Sequence, residues 1–346
     1  MGCVVSLHQE DHDQGPSCDA DPAGPSCDPT QELHPIPPPM LMSCAQSFVY
    51  RLRQCFKYAY NNRSGSWVLA QFVGYQHEQA LYAFNMERNL SFPLPFLEQG
   101  LAGSAMAALG RKVYVIGGGR GRTRNNVYVC DVALYQWKAA ARTCVPRRNA
   151  VAVALENRLF LFGGCHSASA WAEFYLPVLD RWFPISLQLT VPLAPPLMAV
   201  VVQDQIYIRN DVRGFAYGFK DTRWVMLPRN LIRHWYMNTN AAAVQGLLIT
   251  CYVVDFVQEA IIRAYHLGNR SWLTIEGLES THHANASVSH FTALNGNLVI
   301  SNWSDAINGW TFSVFKVKSK DLQSVQMEPV LRCNPIPPVI SKWRLE

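Results

Sequence analysis

A short pattern of residues recurs along the chain, and this repeat limits the fold more than any other feature. Residues 113–119 are matched by residues 159–165, which lie 46 positions later. A tryptophan recurs in step, with separations of 45, 42 and 48 residues, at Trp137, Trp182, Trp224 and Trp272. Each unit contains four short runs of strand-forming residues divided by turn residues, which predicts one blade of a β-propeller.

Two glycine pairs, Gly117-Gly118 and Gly163-Gly164, follow the second strand of their units. Near the axis of a propeller a Cβ atom would collide with the neighbouring blade, and glycine also permits a positive φ. The repeated tryptophans are predicted to pack between blades, where each contributes a large apolar area. The two kinds of residue are therefore interpreted as structural markers of the blades.

The glycine pairs, the aromatic third strands and the tryptophan strands make the chain resemble the kelch-repeat family over roughly residues 66–328. The resemblance is strongest at residues 104–141 and 149–187. It fades later, where the glycine pair is replaced by other residues, at Arg209-Asn210, Thr250-Cys251 and Ser301-Asn302.

The resemblance implies an all-β fold, a six-bladed kelch-type β-propeller. The blades are predicted near residues 66–97, 104–141, 149–187, 197–228, 240–276 and 288–328. The first blade lacks an innermost strand directly before Trp67, so a strand from elsewhere in the chain must close the ring. Residues 338–343 are predicted to do so, and residues 47–58 are the alternative.

The chain before the repeats differs in composition. Residues 1–39 are rich in Pro, Asp, Gly and Ser and are predicted to be a disordered tail, because they cannot bury enough apolar surface to order themselves. Residues 40–65 are predicted to be a short helical or irregular lead-in. Residues 66–346 are predicted to form the propeller with its C-terminal closing strand.

The first six residues contain a lipidation motif. Gly2 and Ser6 fit the N-myristoylation pattern, and Cys3 beside the glycine is a candidate for palmitoylation. Two acyl chains give a stable anchor where one is marginal. The acidic residues Glu10, Asp11 and Asp13 argue against attachment to a membrane, since an anionic leaflet repels them.

Within the kelch family the chain is similar to plant F-box/kelch-repeat proteins, notably at residues 65–69, 81–85 and 92–95. In those proteins an F-box recruits a ubiquitin ligase and the propeller holds the substrate. The segment at residues 45–60 is too short for that three-helix domain. The resemblance therefore implies a recognition platform, and a substrate-recognition adaptor of a cullin-type ubiquitin ligase is the alternative.

Positive charge is concentrated between residues 111 and 148, which hold nine Lys or Arg and one acid, Asp131. Because successive strands alternate in direction, the loop after the second strand and the loop between blades share a face. Six arginines in two such loops are predicted to bind a partner: Arg120, Arg122, Arg124, Arg142, Arg147 and Arg148. The planar guanidinium pairs bidentately with carboxylate or phosphate, which favours an acidic or phosphorylated protein. Ordinary solvated loops are one alternative and RNA is another.

Other classes of function have less support. No set of residues specifies a catalytic site, a metal site or a cofactor, so the sequence predicts a non-enzymatic binding module, with a propeller enzyme as a further alternative. The net charge of +5 is too small to predict nucleic-acid binding. We expect a cytoplasmic protein, peripheral at the plasma membrane if acylated, with the nucleus as another location.

Overall fold

The computed structural model describes residues 4–7, 67–73, 79–85, 90–97, 101–119, 124–132, 134–187, 193–194, 196–234, 241–254, 259–276, 290–294, 296–304, 309–319 and 323–336. These residues form 24 strands and a short helix. The strands follow the chain in groups of four, and each group is one blade of the predicted propeller.

The first three blades are antiparallel sheets whose strands follow chain order. Blade 1 contains β1 (Val4–Leu7), β2 (Trp67–Val73), β3 (Gln79–Asn85) and β4 (Leu90–Pro93). Blade 2 contains β5 (Ala105–Leu109), β6 (Lys112–Ile116), β7 (Val127–Asp131) and β8 (Gln136–Ala140). Blade 3 contains β9 (Val151–Leu155), β10 (Arg158–Phe162), β11 (Ala172–Leu176) and β12 (Arg181–Ile185).

Among the last three blades, blades 5 and 6 contain longer strands than blade 4. Blade 4 contains β13 (Met198–Val202), β14 (Gln205–Arg209), β15 (Gly214–Gly218) and β16 (Arg223–Met226), and α1 (Arg229–His234) follows it. Blade 5 contains β17 (Ala241–Val244), β18 (Leu247–Val254), β19 (Glu259–His266) and β20 (Ser271–Glu276). Blade 6 contains β21 (His290–Leu294), β22 (Asn297–Ser304), β23 (Gly309–Ser319) and β24 (Ser324–Ile336). Blades 5 and 6 form one continuous sheet, because β20 pairs in parallel with β24.

The innermost strands of consecutive blades contact one another, from β1 through β5, β9, β13 and β17 to β21. β21 also contacts β1, so the ring is closed and the predicted six-bladed propeller is confirmed. A central cavity of about 590 Å³ is lined mainly by these inner strands, which are rich in alanine and valine. Small side chains are required there because the blades are closest together at the axis.

The strand that closes the ring differs from the prediction. Val4–Leu7 pairs antiparallel with β2, with Val4 opposite Ala70 and Leu7 opposite Trp67, and so occupies the innermost position of blade 1. Neither residues 338–343 nor residues 47–58 are needed there, and both segments lie outside the described part of the chain. The prediction of a disordered tail is wrong for these four residues, because the free edge of β2 provides their backbone with hydrogen-bond partners.

The hydrophobic core lies between the blades. Between blades 2 and 3, for example, Tyr114 packs edge-on against Tyr175 with ring centroids 5.7 Å apart, and Tyr175 packs against Trp182 at 5.1 Å. Between blades 3 and 4, Phe160 and Phe162 are fully buried in a similar aromatic cluster. The propeller thus has a ring of inter-blade cores rather than a single centre.

Candidate interaction face

The propeller has two faces, and one carries the longer connections. The loop face is defined here by the loops between the second and third strands of each blade together with the connections between blades. Adjacent connections on this face are joined by four backbone hydrogen bonds of 2.8 Å: Gly118 N–H to Arg147 O, Gly119 N–H to Ala102 O, Arg148 N–H to Gly164 O and Asn149 N–H to Gly103 O. Around blades 2 and 3, the connections of the loop face are therefore joined to one another by backbone hydrogen bonds.

Gly117 and Gly118 allow this close approach. Their φ values are +65° and +83°, and a Cβ on Gly117 would lie 2.6 Å from the carbonyl oxygen of Arg147. Gly164 repeats the arrangement, with φ of +73° and a notional Cβ 2.8 Å from the backbone nitrogen of Ala150. Both reasons given by the sequence for these glycines, the positive φ and the crowding, are present in the structure.

The four predicted tryptophans all join neighbouring blades. Each indole N–H donates to a backbone carbonyl in the connection that follows the preceding blade. The bonds are Trp137 to Pro95 (2.8 Å), Trp182 to Ala141 (2.9 Å), Trp224 to Ser186 (3.3 Å) and Trp272 to Asn230 (3.2 Å). The tryptophan repeat, with its spacing of 42 to 48 residues, thus fixes both the packing of the ring and a hydrogen bond to the previous blade.

The structure contradicts one of the six predicted partner-binding residues. Arg147 is completely buried and pairs with Glu173 of β11, which is also completely buried. Its Nε lies 2.8 Å from Glu173 Oε1, and its Nη atoms donate to the backbone carbonyls of Gly163, Ala170 and Trp171. An arginine with these partners is not available to another protein, so Arg147 stabilises the loops instead.

The carboxylate of Glu173 connects blade 3 to the preceding loop. Its Oε2 accepts a 2.8 Å hydrogen bond from the backbone N–H of Cys144, while Oε1 pairs with Arg147. Removing one partner of such a pair leaves a buried charge unpaired, which costs about 3–5 kcal/mol. Sequence reasoning missed this role because Glu173 is one acid among many in the chain, and nothing local marks it.

Three of the other predicted arginines are exposed on the loop face: Arg124, Arg142 and Arg148. Arg124 and Arg147 form an isolated β-bridge, which places the exposed Arg124 and Arg148 beside the buried arginine. Arg120 and Arg122 lie outside the described residues. The structure thus confirms that the two loops adjoin, while dividing their arginines between the core and the surface.

The connection after blade 4 brings two further arginines to the loop face. Arg229 and Arg233 belong to α1 and are exposed. Leu231 between them is fully buried, so the helix packs on the ring through that residue. Sequence analysis missed both arginines because they lie outside the charge cluster at residues 111–148.

The charges of the described loop face are unbalanced. None of the five exposed arginines forms an ion pair within the described part of the chain, whose exposed acids on this side are Asp211 and, at the end of β20, Glu276. The opposite face, here called the hairpin face, carries exposed charges of both signs: the acids are Glu156, Asp180, Asp204 and Asp221, and the bases are Arg111, Lys112, Arg181, Lys220, Arg223 and Arg270. There Lys220 pairs with Asp204 at 2.6 Å and with Glu156 at 3.6 Å.

Among the residues that the structure describes, no group of three His, Cys, Asp or Glu side chains is placed to hold a metal ion. The described helix is also too short to cross a membrane. Burial raises the pKa of the Cys130 thiol to about 12, and desolvation together with Glu173 raises that of Cys144 to about 11, so both thiols are protonated near neutral pH.

A family model described as "FKB95, Kelch-repeats domain" matches residues 75–322, which is more than half of the chain. Among curated proteins, a putative F-box/kelch-repeat protein of Arabidopsis thaliana is 23% identical over 214 residues, covering 59% of this chain and 52% of that protein. Another F-box/kelch-repeat protein of the same plant is 25% identical over 235 residues, covering 62% and 59%. The chain thus spans little more than half the length of the relatives it matches.

The solved structure of YjhT has a fold similar to that of this chain. It superimposes with a TM-score of 0.53 at 12% sequence identity, covering 76% of this chain and 94% of the other. At this identity the likeness concerns the fold alone.

Proposed function

This chain belongs to the kelch-repeat family, and on that premise we propose that it binds an acidic or phosphorylated protein through its loop face, without catalysing a reaction. As a kelch-repeat propeller the chain is a protein-interaction module, and its similarity to plant F-box/kelch-repeat proteins agrees with this. The observation that carries the finer proposal is the set of exposed arginines that form no ion pair with another described residue: Arg124, Arg142, Arg148, Arg229 and Arg233. Exposed guanidinium groups pair favourably with the carboxylate or phosphate of a partner.

Backbone hydrogen bonds hold the connection that carries Arg142 and Arg148 against the neighbouring loops, which favours recognition. The backbone bonds around Gly118 and Arg148 fix the loop positions, and the buried pair of Arg147 with Glu173 holds the connection between blades 2 and 3. A preformed surface loses little entropy on binding, so more of the contact energy appears as affinity.

Affinity purification with the full chain from its native cells tests this proposal. A variant with Arg142→Glu and Arg148→Glu is compared with a control that carries Lys112→Glu and Arg223→Glu on the hairpin face. We expect acidic or phosphorylated proteins that the wild type and the control retain and the loop variant loses, with retention falling as salt is raised. Equal retention by both variants would exclude the loop arginines as the binding residues.

A second proposal concerns the N-terminus, where Gly2, Cys3 and Ser6 fit an acylation motif. We infer that Gly2 is myristoylated and Cys3 palmitoylated, so that the module acts in the cytoplasm at the plasma membrane. Intact-mass analysis of the native N-terminal peptide, with fractionation of wild type and Gly2→Ala, tests it. A myristoyl mass together with membrane signal that is lost in the variant is expected, and an unmodified glycine in a wholly soluble fraction would refute it.

A third proposal follows from the relatives, whose names include an F-box beside the kelch repeats. Under it, the propeller holds substrates for a cullin-type ubiquitin ligase. Copurification of cullin-ligase subunits with the full chain is expected. Their absence from complexes that do contain the loop-face partner would argue for a scaffold rather than a ligase adaptor.

A further inference from the structure

The outermost strand of blade 4, β16, presents an open edge. On its inner side it pairs antiparallel with β15, and the backbone N–H of Leu227 continues this ladder to Gly214 O at 2.9 Å. Because the bonds of an antiparallel pair alternate along each strand, the N–H and C=O groups of Trp224 and Met226 point away from β15. No strand in the described part of the chain pairs with that side of β16. Two backbone N–H groups and two carbonyls are therefore presented at the edge of this sheet.

The equivalent edge of blade 5 carries an added strand. The registers place Thr274 of β20 at the position that Met226 has in β16, two residues after the repeated tryptophan. Thr274 donates its backbone N–H to Gln323 O at 2.8 Å, and β24 runs parallel to β20 from that point. Val325 of the added strand is completely buried. An outer edge of this propeller thus accepts a parallel strand and covers an aliphatic side chain of that strand.

Blades 1 to 3 lack a comparable edge. In blades 1 and 3 the position of Met226 is occupied by Pro93 and Pro184, which have no N–H to donate. In blade 2 the position holds Ala139, and the residue before it is the exposed Lys138. Proline and lysine are residues with which proteins block the edges of their sheets. Among the outer strands of these four blades, β16 has neither.

The side chains of this edge are apolar as well as exposed. Val225 is 49% exposed and Met226 is 68% exposed. Successive side chains of a strand point to opposite faces of the sheet, so these two lie on the two faces of β16. A strand added along the edge would cover both, and aliphatic side chains in register with them would remove apolar area from water.

Two arginines lie just beyond the end of this edge. Arg229 follows Met226 by three residues, and Arg233 lies one helical turn later in α1. Both are exposed, and neither forms an ion pair with another described residue. The exposed acids of blade 4 are Asp204 and Asp221, toward the other end of β16, and Asp211 in the loop before β15. Positive charge therefore exceeds negative charge at the end where Met226 lies.

Resting on the proposed binding of an acidic protein, we propose that this protein presents an extended segment that adds to β16 in parallel, as β24 adds to β20. In strand addition, backbone hydrogen bonds supply affinity and the alternating side chains supply specificity. Aliphatic residues of the segment pack against Val225 and Met226. Because the two strands run in the same direction, the acidic or phosphorylated residues follow the aliphatic ones and pair with Arg229 and Arg233.

Fluorescence anisotropy of the full chain with a labelled synthetic peptide tests this site. The peptide has six residues of alternating Thr and Val followed by three Glu, and a second peptide has the three Glu first. We expect the first peptide to bind more tightly. Met226→Pro, which removes the outward N–H, should weaken its binding about tenfold, whereas Ala139→Pro at the equivalent position of blade 2 should leave it unchanged. The prolines already present there in blades 1 and 3 indicate that the fold accepts Met226→Pro.

Two further measurements keep the test decisive. Val225→Lys, which copies the lysine of blade 2, should weaken peptide binding without removing any backbone group. In hydrogen exchange, the peptide should protect residues 223–227 and leave residues 136–140 unchanged. Absence of binding to the wild type, equal binding by both blade 4 variants and the wild type, or protection of residues 136–140 instead would overturn the edge site.

Failure of the edge site can be told apart from failure of the loop-face proposal. If native acidic proteins are lost by Arg142→Glu with Arg148→Glu but retained by Met226→Pro, the loop face is the binding surface and the edge site is overturned. If neither variant loses them, both proposals are overturned.

Discussion

Blades 2 and 3 differ from blades 5 and 6 in the length of the second strand. β6 and β10 end after five residues, where a glycine pair turns the chain, while β18 and β22 continue for eight. The registers place Tyr252 and Asn302 at the position of Gly117. These residues are two and one positions later than Thr250 and Ser301, which the sequence pattern aligns with Gly117. A blade can therefore form without the glycine pair. The pair determines where the second strand ends and how closely the neighbouring connection approaches.

The contacts between neighbouring blades also differ between blade 3 and blade 5. In blade 3, Trp182 is buried and its indole N–H bond to Ala141 is 2.9 Å long. In blade 5, Trp272 is half-buried and its bond to Asn230 is 3.2 Å long. Blade 3 also contains the buried ion pair of Arg147 with Glu173. We expect substitutions in blades 2 and 3 to cost more stability than matched substitutions in blade 5.

The largest expected effect follows from Glu173→Ala, which leaves Arg147 buried without its carboxylate. The free energy of unfolding should fall by about 3–5 kcal/mol, as measured by urea denaturation. The exposed Arg142→Ala, in the same loop, should change it by less than about 0.5 kcal/mol. A loss for Glu173→Ala as small as that for Arg142→Ala would show that the ion pair of Arg147 with Glu173 does not stabilise the contact between blades 2 and 3.

Next in size is Gly117→Ala, compared with Gly246→Ala in blade 5. Both glycines have positive φ, but a Cβ on Gly117 meets the Arg147 carbonyl oxygen at 2.6 Å, while the nearest atom to one on Gly246 is 3.8 Å away. Positive φ alone costs about 1–2 kcal/mol, and the collision should bring Gly117→Ala to about 3 kcal/mol. Equal losses in urea denaturation would mean that the loop relaxes around the new methyl group.

A smaller difference is expected between Trp182→Phe and Trp272→Phe. Phenylalanine keeps much of the apolar area but removes the indole N–H, so the carbonyl of Ala141 is left unsatisfied within the joint. The expected cost is about 1–3 kcal/mol for Trp182. The carbonyl of Asn230 has access to water, and Trp272→Phe should cost under about 1 kcal/mol. Thermal unfolding of both variants measures the difference, and a reversed order would contradict the comparison of blades.

The smallest effect concerns the reactivity of Cys144, which is exposed beside the Glu173 carboxylate. Its pKa is raised to about 11 by desolvation and by Glu173, with Arg147 acting in the opposite direction. The thiol is neutral below this pKa and becomes the reactive thiolate above it. Iodoacetamide labelling of Cys144 should therefore be slow at pH 8 and accelerate up to about pH 11. Labelling as fast as that of a free thiol at pH 8 would show that the carboxylate does not act on this cysteine.

The sequence by itself determined the number and kind of blades. The repeat period, the glycine pairs and the four tryptophans are local in the chain, and the structure confirms the role of each. These features could be predicted from the sequence because strand length, turn chemistry and the blade period depend on residues close together in the chain.

The tertiary structure alone decided the strand that closes the ring and the burial of individual arginines. Arg147 and Arg148 are neighbours in the chain and alike in chemistry, yet one is completely buried and the other exposed. The difference comes from Glu173, 26 residues away, which a fold of blades brings within 2.8 Å of Arg147. In the same way Val4–Leu7 lies 60 residues from Trp67 at its nearer end, and only the free edge of β2 makes it a strand. Contacts between residues distant in sequence depend on the closed ring, which no local pattern contains.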